Sequence, residues 1–554
     1  MAGLANETLL RTALKLLGLV VGTPCILTLF YVAKVFIGAQ SSPLMSLQCP
    51  PGGRFLSGHM LMLTRGHSYE NLSKWREQYG SLFAIKAVLG QRRSVTTDTK
   101  AIAHILANSQ KYCKPEAARW HLSYLLGNGM VTAEGHEHRH QRRAINPAFS
   151  LTNLKNIFPT FMSKAEQLCD MIRHEVADAK TARVDVLQWS SRAALDIIAL
   201  SGFNYDLDTL HKGMDGSELA TALHRLSSPK TFPIIIFFKI FIPPLRMIQF
   251  DHQSRETQHT RGILRNIGVN IIKEKQRQLS LEKTDKEATI EPEYGKGDQD
   301  LLSSIVRLNT EAEGENLSME QMLQQIPTFL VAGHETTANT LAWALFSLSH
   351  NQVVQDRLRN EIMASALRES AAISLEDLNA LPYLEAVIRE TLRFHATVEV
   401  ITRVATQEDV IPLEKSYVAQ DGKLHDQFIV KKGDHIMIPI LVINRLKEFW
   451  GEDADEFSPD RWLKGAPDTS NAIPGLWSNI MTFSTGNRSC IGYKFAIFEL
   501  KALLFQLIKN FRFDPAVPYG DVIRNELIVT RPQVKSERDK GAQLPLVITP
   551  VAHE

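Results

Sequence analysis

Phe483-Ser484-Thr485-Gly486-Asn487-Arg488-Ser489-Cys490-Ile491-Gly492 is the stretch on which the reading of this chain turns. A lone cysteine is most often a small buried hydrophobe. The neighbours of Cys490 make a different case. The loop runs into a helical pattern over 494–509, and backbone N–H groups at a helix start favour a thiolate. Gly486 and Gly492 permit a tight loop whose backbone can approach a cofactor closely. Arg488, two positions before the cysteine, offers a fork of donors suited to a carboxylate. Together these residues describe a thiolate ligand to a cofactor.

The other cysteines, Cys25, Cys49, Cys113 and Cys169, are scattered. Without a Cys-x-x-Cys pair, neither a zinc ribbon nor a disulfide framework is supported, and a reducing compartment is expected. The 554 residues are 44% hydrophobic and 22% charged, ordinary globular usage on a chain long enough to enclose a bulky cofactor. A formal net charge of +2 gives no reason to expect a nucleic-acid partner.

Residues 1–15 form a flank to an apolar stretch over 16–37, just long enough for a transmembrane anchor. A signal peptide would need a shorter apolar core and a small-residue cleavage site, which 38–40 supply poorly. Lysines and arginines on both sides leave the orientation open. Residues 38–53, ending in Cys49-Pro50-Pro51-Gly52-Gly53, read as a hinge, and 54–554 as the catalytic domain. Helical periodicity covers 153–174, 187–200, 319–350, 353–366 and 494–509. Strand-like runs lie at 81–87, 403–411 and 435–440. The fold class is therefore mainly α with small β-sheets. Charged, Pro- and Gly-containing 282–300 predicts a solvated loop or disordered insertion, and the apolar stretch 232–250 either core or a segment dipping into the membrane interface.

Three further clusters stand out. Ala332-Gly333-His334-Glu335-Thr336-Thr337 places an acid beside a hydroxyl inside a long helix. Mid-helix threonine usually bonds back one turn, yet this pairing is also what a buried proton relay needs. Glu390 and Arg393 share a helix face, and Phe457-Ser458-Pro459-Asp460-Arg461-Trp462 adds a later arginine. Gly135-His136-Glu137-His138-Arg139-His140-Gln141-Arg142-Arg143 is strongly basic, which by itself is most often a solvated face.

In the spacing of these four motifs the chain resembles the cytochrome P-450 superfamily, fungal microsomal members above all, from the Pro50 hinge to about residue 550. The cysteine loop matches the family's Phe-x-x-Gly-x-Arg-x-Cys-x-Gly at every fixed position. The resemblance implies a P-450 fold, haem b with Cys490 as its axial ligand, Arg488 on a propionate and Phe483 packed beside the ligand loop. It further implies that Arg142 and Arg403 touch propionates, as would His138, which stands where the family usually has Trp. Thr336 would hold bound dioxygen, Glu335 would bring protons, and Gly333 would leave room for oxygen at a widened helix turn. Glu390, Arg393 and Arg461 would form a structural network.

The implied reaction is oxidation of a lipophilic substrate by O2, with electrons from NADPH. No nucleotide fingerprint is evident in the chain, so the electrons would come through an NADPH-cytochrome reductase, a cytochrome b-type donor assisting. Arg139, Arg143, Lys494 and Lys501 are candidates for its docking. Phe329, Ala332, Ala396, Val398 and Ile401 are candidates for the substrate pocket, and a natural-product, terpenoid-like intermediate is the expected substrate. The expected location is the endoplasmic reticulum, catalytic domain towards the cytosol. Two rival readings keep the haem: a reductase-independent isomerase or dehydratase acting on a peroxide, and a non-catalytic membrane sensor.

Overall fold

The computed structural model describes residues 26–551 except 28, 31, 35, 56, 64–66, 177–179, 228–238, 241–242, 248–251, 289–299, 312–315, 367–372 and 526–527. Residues 16–25 of the expected anchor and most of the stretch 232–250 lie outside them. No helix among the described residues is long and apolar enough to cross a membrane.

A helix from Met319 to Ser349 forms the axis of the molecule. Its start is fixed by a capping box, in which Ser318 Oγ accepts the Gln321 N–H and the Gln321 side chain accepts the Ser318 N–H. Most of its second half is inaccessible, as expected for a helix apolar on every side. It packs on the helices Val186–Phe203 and Tyr493–Asn510, and Leu151–Val176 backs both of these. These four helices and Gln352–Ala366 begin and end within three residues of the five expected periodic runs, and helices such as Ser68–Tyr79, Thr99–Ala107 and Pro382–Phe394 are not foreseen by those runs.

The largest sheet runs in the order Leu82–Lys86, Arg92–Thr96, His435–Pro439, Val400–Ala405, Tyr112–Cys113. Its one parallel pair joins Arg92–Thr96 to His435–Pro439. The expected strand over 403–411 is in fact two. Val400–Ala405 belongs to this sheet, while Asp409–Val418 forms a hairpin with Leu424–Val430. The polar triplet 406–408 turns the chain between them, and Thr406 N–H is taken by Lys111 O at 2.8 Å. The insertion expected over 282–300 is also shorter, because the helix from His252 runs on to Ala288. Its Lys, Glu, Gln and Leu residues are good helix formers whether or not they are buried.

The hinge is tighter than its prolines and glycines imply. Leu44 and Leu47 are both 1% exposed. The Arg92 guanidinium donates to the Met45 and Leu47 carbonyls at 2.9 and 2.7 Å. The chain therefore joins the body at about Ser42, ahead of Pro50.

Glu390, Arg393 and Arg461 come together in the interior. Arg393 grips both Glu390 oxygens at 2.7 and 2.8 Å, Arg461 Nε reaches one at 3.2 Å, and Trp462 Nε1 the other at 3.0 Å. Arg393 also donates to the carbonyls of Asn444, Ala454 and Glu456. A carboxylate satisfied this fully is tolerable without water, but removing it strands two cations. Glu390→Ala is expected to cost about 3–5 kcal/mol in urea unfolding; a loss under about 1 kcal/mol, the size of an exposed pair, would contradict the assignment.

Candidate functional site

Two short 3-10 turns, Met481–Phe483 and Gly486–Arg488, shape the cysteine loop, and Gly492 caps the helix that follows. The Cys490 N–H donates to Phe483 O at 3.0 Å and the Ser489 N–H to Gly486 O at 3.1 Å, folding the loop on itself. Gly486 has φ +68°, and a Cβ there would stand 2.6 Å from Leu106 O. Only glycine fits, for both reasons. The close approach it permits is to the helix Thr99–Ala107. Phe483 is buried between the rings of Trp477 and Tyr493, 6.0 Å from each.

Cys490 is the exposed one of the free cysteines among the described residues. Packing around its thiol pushes the pKa up, while the Gly492 N–H and the Arg142 charge pull it down. Cys169, by contrast, is sealed in the core and pushed up to about 12 by burial. A metal cation at Cys490 would itself favour the thiolate. Arg142 is bound to the residue before the cysteine, donating to Ser489 O at 2.7 Å and Oγ at 3.2 Å.

Around this loop cations outnumber carboxylates. Arg488 donates to Ala133 O at 2.6 Å and is ion-paired to Glu134, which also accepts the Lys114 N–H at 3.1 Å. Arg403 is 6% exposed, with Nη1 on the Thr402 carbonyl at 3.0 Å. Burial, only partly offset by the Glu134 charge, pushes Arg403 down to about 10. Lys114 is pushed down to about 7, by burial first and by the Arg488 charge next. Arg119 Nε is buried and has no hydrogen-bond partner. Lys114, Arg403 and Arg488 thus share one carboxylate, with Arg119 adding its charge at Lys114, an arrangement that fits a guest with acidic arms. His138 is 4% exposed and pushed down to about 3 by burial and by Arg488, so its ring is neutral. Lys114, Arg119 and Glu134 carry no motif, and their part here is visible only in three dimensions.

On the central helix, Ala332 is exposed and Thr336 half-buried one turn later, so this buried rod opens on one face. Thr336 Oγ1 donates to Ala332 O at 2.9 Å, the ordinary bond for a helical threonine. Glu335 is ion-paired to Arg531 from the strand Arg531–Val534 near the C-terminus, a partner without any signal in the sequence. Gly333 lets the helix Val186–Phe203 approach: a Cβ there would lie 2.9 Å from Ile198, and the central helix is continuous through it.

Among the pocket candidates, Ala332, Val398 and Ile401 are at least partly accessible. Phe329 (6% exposed, edge-on to Phe149) and Ala396 (3%) belong to the packed interior. Of the basic docking candidates, Arg139 and Arg143 are exposed and Lys494 half-buried. Lys501 drops out: it is 3% exposed and held by Glu385 at 2.8 Å and Asn379 at 2.6 Å.

The sequence profile of the cytochrome P450 family matches residues 49–535. Cytochrome P450 monooxygenase 205 of Postia placenta is 41% identical over 521 residues, 93% of this chain and 94% of that one. Monooxygenase 128 of the same fungus is 38% identical over 528 residues, 94% and 95% of the two chains. Ganoderic acid synthetase CYP5150L8 of Ganoderma lucidum is 32% identical over 497 residues, 85% and 88%. An accessible cysteine in a tight loop, set among surplus guanidinium groups in a mainly helical body, belongs with the haem-thiolate enzymes. The chain is a member of the cytochrome P450 family and a cytochrome P450 monooxygenase.

The charge surplus has a consequence of opposite sign with and without haem. Arg403→Met removes a desolvated cation, so the haem-free protein is expected to gain roughly 1 kcal/mol, the low end for such replacements. The haem-loaded protein should lose cofactor more readily. Thermal unfolding of both forms checks this, and parallel shifts would exclude it.

Proposed function

We propose that this monooxygenase oxidises a hydrophobic natural-product intermediate, terpenoid-like in character, using O2 and electrons drawn from NADPH through a separate reductase, with Cys490 as the thiolate ligand of haem b. The observation that carries the reading is the exposed Cys490 in a loop held by Arg142, with Lys114, Arg403 and Arg488 sharing the single carboxylate of Glu134. When bound, the haem-thiolate supplies oxygen activation and the attack on carbon.

The chain supplies placement and protons. Arg142 holds the ligand loop through Ser489, while Arg403, Arg488, Lys114 and Arg119 would neutralise the propionates. His138, being neutral, adds packing without a further charge. Thr336 Oγ1 carries a proton that a side-chain rotation presents to the open face of the helix. Glu335 lies next to it in sequence, ion-paired to Arg531, where the carboxylate can take up a proton from solvent and pass it on.

Ala332, Val398 and Ile401 offer an apolar lining, which suits a lipophilic substrate. The relative named for ganoderic acid synthesis supports the natural-product class. Exposed Arg139 and Arg143 share a helix with Arg142 and suit an acidic electron donor. A reductase is general to monooxygenases of this family, and a cytochrome b-type donor is a second source of electrons.

Two variants test the reading together. Cys490→Ala should abolish the thiolate-type band of the reduced, carbon-monoxide-bound protein; a surviving band refutes the ligand. Thr336→Ala should keep that band yet divert NADPH-derived electrons into peroxide and water, cutting product per NADPH severalfold. Unchanged coupling would remove Thr336 from the mechanism.

The anchor over 16–37 and a location at the endoplasmic reticulum, catalytic domain towards the cytosol, complete the proposal. Exposed Ile26, Leu29, Phe30 and Ile37 support it. Removing residues 1–40 spares Leu44 and Leu47, so it should release the protein from membranes with haem content intact. Continued sedimentation with membranes would count against the anchor.

A further inference from the structure

The central helix has a second accessible side, near its start. There it joins the helix His252–Ala288 and the end of the helix Glu116–Leu126 around a cavity of about 280 Å³. Pro327 lines this cavity, whereas Ala332 lies on the open face that carries Thr336. Five residues of helix separate the two, a rotation of about 140°. The cavity is thus turned away from Thr336. Its volume is at the small end of ligand clefts, with room for one slender molecule.

Leu125, Leu264, Leu323 and Pro327 give it apolar walls. The charged groups at its rim are unequally satisfied. Arg265 Nη1 donates to both Glu320 oxygens, at 2.9 and 2.6 Å, and Gln324 Nε2 adds a third bond at 3.1 Å. Arg261 is exposed and lies one turn before Arg265 on the same face of its helix. It has no hydrogen bond or ion pair among the described residues, although its charge acts on Glu320. The rim therefore holds two guanidinium groups against one carboxylate.

Gly262, next to Arg261, also lines the cavity. Glycine inside a helix costs stability relative to alanine, and it repays this where something approaches the backbone closely. Gly268 meets that condition within the protein, since a Cβ there would stand 3.1 Å from both Ile326 and Leu323. At Gly262 a Cβ would meet nothing within 4 Å. The protein's own packing gives no reason for glycine at this wall. A guest lying against the bare backbone does.

We propose that this cavity is a second ligand site, which takes a lipophilic carboxylate with its acid on Arg261 and its chain along Gly262, Leu264, Leu323 and Pro327. An apolar body matches the walls, and a guanidinium without a partner of its own matches an anion. A cation would meet a net positive rim. The site does not depend on the substrate or the reaction proposed above.

The test uses the haem-loaded full chain, its iron capped by an excess of an azole so that the haem pocket is filled, and laurate as the probe. Equilibrium dialysis should find a single saturable laurate per chain. Arg261→Gln should weaken it about tenfold, the worth of one charge-assisted hydrogen bond. Gly262→Leu should weaken it at least as much by filling the space, and lauryl alcohol should bind less tightly than laurate. Both positions are exposed, so neither change enters the core. No saturable laurate on the capped protein, wild-type affinity in either variant, or alcohol held as tightly as acid overturns the inference. Should Gly262→Leu lose its haem, Arg261→Gln and the alcohol still decide the matter.

Discussion

The buried carboxylate of Glu390 is the fixed point of the molecule. Its bonds to Arg393 continue outward through the Asn444 carbonyl. Asn444 in turn accepts the Met481 N–H at 2.8 Å and donates to Thr482 Oγ1 at 2.8 Å, and Thr482 reaches Leu392 O. Next to Thr482 in the chain, Phe483 offers its carbonyl to the Cys490 N–H. A continuous chain of bonds thus runs from a buried ion cluster to the backbone of Cys490. Buried polar networks of this kind are costly if any member is lost, and for the same reason they hold one geometry.

The electrostatics at the cysteine follow from that rigidity. Arg142, Arg403 and Arg488 are held by backbone carbonyls as much as by carboxylates. Their charges are therefore placed, and only in part neutralised, by the protein. Such an array favours an anionic guest, and it adds to burial, the larger cause, in keeping His138 neutral and Lys114 far below an ordinary lysine. The departure from Trp to His at 138 brings an uncharged ring, not another cation.

In the polar cluster of the central helix, three adjacent side chains meet three environments. Glu335 is tied to Arg531, Thr336 is half-buried on the open side of the helix, and Thr337 is buried. Adjacent residues on one helix thereby address a strand, an open face and the packed interior.

The helices, the cysteine loop and the Glu-x-x-Arg pair were legible from the chain alone, because each depends on residues close in sequence. Apolar period, a glycine requirement and an i,i+3 ion pair are local physics. Only the folded structure decided that 403–411 divides between two sheets and that the hinge is fastened at Ser42. It also showed that Gly333 admits Ile198, that Lys501 is buried, and that Glu335 is held by Arg531. Each of these is a contact between segments far apart in the chain. Local pattern says which face of an element is apolar or charged, and only packing says what that face meets.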